Sequence, residues 1–382
     1  MNVLFITHCT PMDGGNHSLL QLMVELKSAP YNITPILLTP LEIKTSSSSI
    51  LQEATKHGIR CISSRFYPFK YTSQSPLNYI KLGSNIFNVP AILHKLKGMD
   101  INLVHSNSSI FDIGAIIAKK LHIPHIWHFR EFGDIDFKLY PLAGYFTQSK
   151  IYNQASSIIA ISNSVKAHFL PVINDTQIDV IYNGIPINHN ALISSHKNDV
   201  IKFCITGALN SAKRQTDAIE AVNILVNQMH YTKLRLFILG EGKDRSKIEN
   251  MISAYGLSEY VSLLGWVRNP GDLYSEMDCG LMLSTNEAFG RVTIEYMRAS
   301  LLVIASDGGA NSELINDGVT GMLFNTGNIM QLAEKMAYAI DNHDTMVKIA
   351  QEGFKFSQTN FLSSDNTREV YNIYLKYGVT DK

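Results

Sequence analysis

The chain has 382 residues, 45% hydrophobic and 17% charged, which suits two domains of ordinary size better than one core. Its 33 Lys and Arg cancel its 33 Asp and Glu, which excludes a polycation built to grip nucleic acid. No apolar run reaches the roughly 18 residues of a spanning helix.

The opening Met1–Ile6 lacks the basic region and small-residue cleavage site of a signal peptide and reads as the first strand. Short β-branched runs then alternate with amphipathic stretches of helix length. In the first half the strands are predicted at Val3–Thr7, Thr34–Leu38, Ile101–His105, His125–Trp127, Ser157–Ile161 and Asp179–Tyr182. A polar, aperiodic stretch at Asn183–Asn198 marks the boundary, and Thr45–Ser49 is the one low-complexity tract. The second half predicts strands at Ile201–Thr206, Leu234–Leu239, Val261–Leu264, Gly280–Leu283 and Leu302–Ala305. Between them, Ala212–Met229, Arg245–Tyr255 and Ile329–Asp341 carry helical periodicity, and Asn366–Tyr377 predicts a final helix. This alternation means parallel sheets covered on both faces, and two sheets of about six strands fit the length. In two doubly wound domains, a ligand is expected in the cleft at the carboxyl ends of the strands.

The neutral total hides an asymmetry: residues 1–183 hold 15 basic and 11 acidic residues, net +4, and the remainder 18 and 22, net −4. Most of the basic excess lies in residues 51–100. Within 66–97, Tyr67, Phe69, Tyr71, Tyr79 and Phe87 interleave with Lys70, Lys81, Lys95 and Lys97. This pattern suits an anionic membrane surface or a lipid-linked acceptor, and equally an ordinary helix with its loops. Cys9, Cys61, Cys204 and Cys279 lie far apart without a CxxC pair, which speaks against structural zinc or a disulfide framework and for a reducing cytoplasm.

Two constellations can carry chemistry. Gly14 and Gly15 close the first strand-to-helix turn, where backbone amides can approach an anion or a sugar, although glycine pairs end many turns for conformational reasons alone. The turn is not the GxGxxG of a dinucleotide fold, which demotes a nicotinamide dehydrogenase. The stronger one is Glu287, Phe289, Gly290, Arg291, Val292 and Glu295. There a buried-type strand enters a polar loop and then a helix, so amides can hold a phosphate while two carboxylates accept from hydroxyls. The plain alternative is a surface pair between Arg291 and Glu295 at i and i+4.

With the pattern E-x-F-G-x-x-x-x-E at Glu287 to Glu295, the chain resembles the retaining glycosyltransferases of family 4, on the GT-B fold. The resemblance runs over nearly the whole chain. Gly14-Gly15 matches the family's first loop and Trp127–Phe132 its H-x-R-E stretch. Ile159–Ser164 and Val180–Ile185 are similar to the segment before the hinge. Gly207 and Lys213 fit its G-R-L-x-x-x-K motif, and Leu239–Gly242, Leu264–Val267 and Gly308–Glu313 complete the set. The resemblance implies an acceptor-side domain over 1–185, a donor domain over 198–360 and a helix over 361–382 that returns to the first domain.

It further implies transfer from a nucleotide-sugar, a UDP-sugar ahead of a GDP-sugar, to a glycan or lipid-linked acceptor in bacterial surface polysaccharide synthesis. No metal or other cofactor is implied. Glu287, Lys213 and His128 would be catalytic. Gly14, Gly15, Gly207, Lys213, Arg214, Val267, Phe289, Gly290, Arg291, Val292 and Glu295 would bind donor, and Arg130 and Glu131 would lie on the acceptor side. The protein would be cytoplasmic, peripheral on the inner face of the membrane through 66–97, and would bind no nucleic acid. One departure matters: the family's phosphate-binding arginine falls at Ala208, so Arg291 or Arg214 is expected to supply the second cation. Asp134 and Asp136 spell the D-x-D of the other glycosyltransferase fold but stand away from the donor motifs. The rivals are a sugar-nucleotide epimerase, a glycoside phosphorylase, or a donor-binding scaffold without catalysis.

Overall fold

A computed structural model describes residues 1–41, 49–174, 177–187 and 199–377. The boundary stretch therefore lies outside the described residues from 188 onward, as do residues 45–48 of the low-complexity tract. The chain divides into two units: Met1–Gly184 together with the segment from Ser363, and Ile185–Leu362.

In the first unit the strands are β1 (Asn2–Ile6), β2 (Thr34–Thr39), β3 (Arg60–Ser63), β4 (Lys70–Tyr71), β5 (Leu103–Ser106), β6 (His125–Phe129), β7 (Tyr140–Pro141), β8 (Ser157–Ala160) and β9 (Ile178–Val180). Seven form one parallel sheet in the order β3-β2-β1-β5-β6-β8-β9, while β4 and β7 pair as a small antiparallel ribbon. Both faces are covered, so the central strands β5 and β6 are buried at every position and β1 at all but its first. Along β1, Val3 and Phe5 pack with Leu19, Leu22 and Leu26 of the helix Gly14–Lys27. Leu4 and Ile6 turn to the opposite core with Ile92, Ile113 and Ile117. The final helix Ser363–Lys376 adds Val370, Ile373 and Tyr374 to the first of these cores. It is also tied by Thr367 Oγ1 to Glu25 Oε2 at 2.7 Å and by Asn366 Nδ2 to the Tyr182 carbonyl at 2.6 Å.

The second unit holds β10 (Ile201–Thr206), β11 (Leu234–Leu239), β12 (Val261–Gly265), β13 (Cys279–Met282), β14 (Leu302–Ser306) and β15 (Met322–Phe324), all parallel, ordered β12-β11-β10-β13-β14-β15. One core joins the sheet to the helices Gln215–Asn223, Ile329–Asp341 and His343–Thr359. The expected helix Ala212–Met229 begins later, at Gln215, and its last turn is π-type over Ile224–Gln228. The ribbon, β3 and β15 were not expected. They are two to four residues long and carry no alternation long enough to register.

Candidate functional site

Parallel strands deliver their loops to one end of a sheet. In the second unit the turns after β10, β11, β13 and β14 meet there through glycines. A Cβ on Gly240 would lie 2.0 Å from the Gly207 carbonyl oxygen, and one on Gly309 would lie 2.3 Å from that of Glu287. Ala310 N then donates to Glu287 O at 2.8 Å, which fixes the Glu287 loop against the Gly308–Gly309 turn.

On this frame Lys213 Nζ reaches Glu287 Oε2 at 2.7 Å, with the lysine a third exposed. The residues are 74 apart in sequence, so the pair is a product of the fold. Next to it, Gly290 takes a left-handed φ of +90° and opens the helix Arg291–Arg298, whose start no side chain caps. A Cβ at Gly290 would sit 3.1 Å from Thr293 Oγ1 and 3.4 Å from Asn311 Oδ1. Those two atoms, with Ser284 Oγ, are buried and have no hydrogen-bond partner among the described residues. Buried polar atoms without partners call for an explanation, and a bound ligand supplies one. Phe289 is buried and packs edge-on against Phe361, anchoring the loop from below.

The remaining expected donor residues are distributed around this centre. Arg291 Nη2 stands 3.8 Å from Glu295 Oε1, and burial lowers the pKa of its guanidinium. Arg214 is bound to Asp217, Nη2 to Oδ2 at 2.5 Å and Nε to Oδ2 at 2.6 Å. Val292 is half-buried in the first turn of the same helix, and Val267 is half-buried beside Trp266, which is 63% exposed.

The first-unit residues are placed differently. Gly14 and Gly15 form the first turn of the helix rather than a loop before it, and Asp13 Oδ1 caps Asn16 N at 2.8 Å. A carboxylate therefore already sits at this helix start, which disfavours an anion there. His128 is the fourth of five residues in β6 and wholly buried, not a strand-end side chain open to a ligand. Its Nδ1 lies 3.2 Å from His105 Nε2, and His105 Nδ1 lies 2.7 Å from Tyr374 Oη. Burial first, then the Arg130 charge, holds both imidazoles well below the usual pKa and so neutral.

Arg130 and Glu131, expected on the acceptor side, turn inward. Arg130 donates to Asn107 Oδ1 at 2.8 Å and to Asn183 Oδ1, while Glu131 accepts from Ser108 Oγ at 2.8 Å and from Ser109 N. At 8% and 7% exposed they brace the loop after β5. The D-x-D pair is also engaged: Asp134 bonds His168 Nε2 at 2.9 Å, and Asp136 accepts from the amides of Phe132, Gly133 and Phe137.

Sequence reasoning missed His105, Tyr374, Thr293 and Asn311. Thr293 lies inside the E-x-F-G stretch and Asn311 inside the Gly308–Glu313 stretch, so motif position was their signal. His105 and Tyr374 had none, because 269 residues separate them.

Residues 14–189 match Glycosyltransferase Family 4, and residues 190–356 match Glycosyl transferases group 1. An uncharacterized glycosyltransferase of Methanocaldococcus jannaschii is 28% identical over 287 residues, 74% of this chain and 75% of that protein. The capsular polysaccharide biosynthesis glycosyltransferase CapM of Staphylococcus aureus is 25% identical over 240 residues, 58% of this chain and 63% of CapM. Among solved structures, Anabaena HepE in complex with UDP superposes with a TM-score of 0.80 at 18% identity, covering 98% of this chain and 100% of HepE. Two parallel Rossmann-like halves, the paired family matches and the likeness to HepE agree: the chain is a GT-B protein and belongs to the family 4, group 1 glycosyltransferases.

Proposed function

We propose that this glycosyltransferase moves a sugar from a nucleotide-sugar to a glycan or lipid-linked acceptor, with retention of configuration, in bacterial surface polysaccharide synthesis. The observation that carries this reading is the convergence of Lys213, Glu287 and the unpartnered atoms of Thr293 and Asn311 at the uncapped helix start of Gly290. As the bond between sugar and diphosphate breaks, negative charge grows on the leaving diphosphate. Lys213 and the helix-start amides near Gly290 stabilise it, and groups of this kind are worth about 3–4 kcal/mol of barrier. Lys213 must then exchange Glu287 for phosphate, which frees the carboxylate to accept from sugar hydroxyls. Glu295 holds the ribose, with Arg291 as the second cation and no metal in the reaction.

HepE binds UDP and UDP-glucose, which supports a UDP-sugar ahead of a GDP-sugar, with Val267 and Trp266 beside the base. Thermal-shift measurements with UDP-, GDP-, ADP- and dTDP-sugars test the donor. A UDP-sugar should stabilise the protein, and Glu295→Ala should abolish the shift. A shift without sugar transfer or hydrolysis would favour the second reading, a donor-binding scaffold without catalysis, which Ala208 in place of arginine supports. Conversion of donor without acceptor would select an epimerase, and dependence on inorganic phosphate a phosphorylase.

On the acceptor side, the helix Pro76–Leu96 supports peripheral contact with an anionic membrane on the cytoplasmic face. Ile80, Ile86 and Phe87 are 68%, 75% and 82% exposed, and Lys81 lies on the same helix. An apolar cavity of about 620 Å³ is lined by Ile86 together with Leu82, Val89, Ile116 and Ile151 among others. By contrast Phe69 and Lys70 are buried, which narrows the contact to the helix itself. No helix among the described residues is long and apolar enough to cross a membrane. Phe87→Glu should reduce cosedimentation with vesicles containing anionic lipid, and unchanged binding would refute the contact.

A further inference from the structure

The loop between β1 and the helix Gly14–Lys27 holds a side-chain cluster that glycosyl transfer does not use. One ring nitrogen of His8, Cys9 Sγ and a carboxylate oxygen of Asp13 lie within 4.8 Å of one another. We propose that these three residues form a binding site for a thiophilic divalent cation of the Zn²⁺ class, with the fourth tetrahedral position left to water.

The ligand set is imidazole, thiolate and carboxylate, which selects Zn²⁺ over oxygen-seeking Mg²⁺. Bond lengths of about 2.0–2.3 Å put tetrahedral ligand atoms about 3.3–3.7 Å apart. Cys9 Sγ is already 3.2 Å from Asp13 Oδ2. The cluster therefore needs a contraction of about 1.5 Å at most to close on an ion.

The surrounding shell orients two of the three ligands. Asn16 is 1% exposed; its backbone N holds Asp13 Oδ1 at 2.8 Å, which leaves Oδ2 directed at the sulfur. The same residue's Nδ2 lies 3.4 Å from Cys9 Sγ and donates to the Pro11 carbonyl at 2.7 Å, and its Oδ1 accepts from Thr7 Oγ1 at 2.7 Å. Outer partners of this kind fix metal ligands in place and tune them. His8 makes no hydrogen bond among the described residues, and its Nδ1 is buried without a partner. On binding, the Cys9 S–H bond breaks and its proton goes to solvent, while the sulfur lone pair forms the bond to the cation. Thiolate and carboxylate together then balance its two charges.

The test uses the chelator-treated full chain and Co²⁺ as the probe. Stoichiometric Co²⁺ should give a thiolate-to-cobalt charge-transfer band and tetrahedral visible absorption, both removed by Zn²⁺ and not by Mg²⁺. Cys9→Ser should abolish the band. His8→Gln and Asp13→Asn should each weaken Co²⁺ binding by about tenfold or more. Asn remains a good helix cap, so Asp13→Asn keeps the helix start intact, and an unchanged far-ultraviolet spectrum verifies this. The site is refuted by absence of the band, by a band that survives Cys9→Ser, or by unchanged affinity in both ligand variants. None of these outcomes depends on glycosyl transfer.

Discussion

Gly309 combines a φ of +61° with a Cβ position 2.3 Å from the Glu287 carbonyl oxygen and 2.6 Å from its amide nitrogen. Alanine there meets two independent obstacles, an unfavourable backbone and a backbone neighbour that cannot move without displacing Glu287. Gly309→Ala should therefore lower stability by more than the roughly 1–2 kcal/mol of the left-handed conformation alone. Donor affinity should fall with it, as urea denaturation and nucleotide titration would show. Lys213→Ala acts on chemistry instead. If the lysine neutralises the leaving diphosphate, kcat should fall about 10²–10³-fold with a smaller change in KM. Equal effects on binding and turnover would give Lys213 only a ground-state role. At this scale the motif residues Glu287, Lys213 and Gly290 were legible because their chemistry is local and their spacing fixed. Thr293 Oγ1 and Asn311 Oδ1 gain meaning only when two loops converge, which no single stretch of chain announces.

Strands β5 and β6 place three histidines inside the first unit's sheet: His105, His125 and His128, none more than 4% exposed. Burial is the largest cause of a lowered pKa in each, to about 3 for His125. The unfolded chain thus binds protons that the folded one refuses. Their contribution to stability is complete above the ordinary value near 6.5 and is lost as pH falls below it, for His125 toward about 3. Asp112, raised by burial from 3.8 to about 6, opposes this within that range because its folded form takes the proton first. Between pH 7 and 6 the histidines dominate, each contributing about 0.7 kcal/mol over that interval, half the limiting slope because the unfolded imidazole is only partly protonated there. The urea midpoint followed by the buried Trp127, 5.0 Å from His125, should fall over that interval. His125→Gln should flatten the slope, and a midpoint independent of pH would refute the assignment. The long strands were readable as elements because both-face burial makes them continuous apolar runs. β3 and the β4–β7 ribbon were not, being short and half-polar, with pairing set by distant partners. The helix Gly14–Lys27 began five residues earlier than its apolar face, because Asp13 supplies a cap that periodicity does not register.

At the scale of the molecule, the first unit is discontinuous: Met1–Gly184 is completed by the segment from Ser363. The final helix fills the core with Val370, Ile373 and Tyr374 and closes the hydrogen bond to His105. Truncation after Leu362 should expose that core and strip amide-exchange protection from Gly14–Lys27 and β1, while the second unit, whose core lies within Ile201–Ala350, keeps its own. Equal loss of protection in both units would contradict this. A smaller change, Tyr374→Phe, should cost about 1–3 kcal/mol by leaving a buried imidazole nitrogen unsatisfied. Sequence periodicity revealed the helix, and resemblance supplied the expectation that it returns to the first unit; its specific anchor on His105 required the fold.

The interruption also sets an order of events during synthesis. Ribosomes add about 5–20 residues per second and domains fold as they emerge, and residues 185–362, contiguous in the chain, leave the ribosome ahead of Ser363–Lys376. The amino-terminal half, though made first, must wait for the last helix with part of its apolar surface uncovered. For this chain the later-made unit is the first able to finish, and the earlier one is the candidate client for a chaperone on the ribosome.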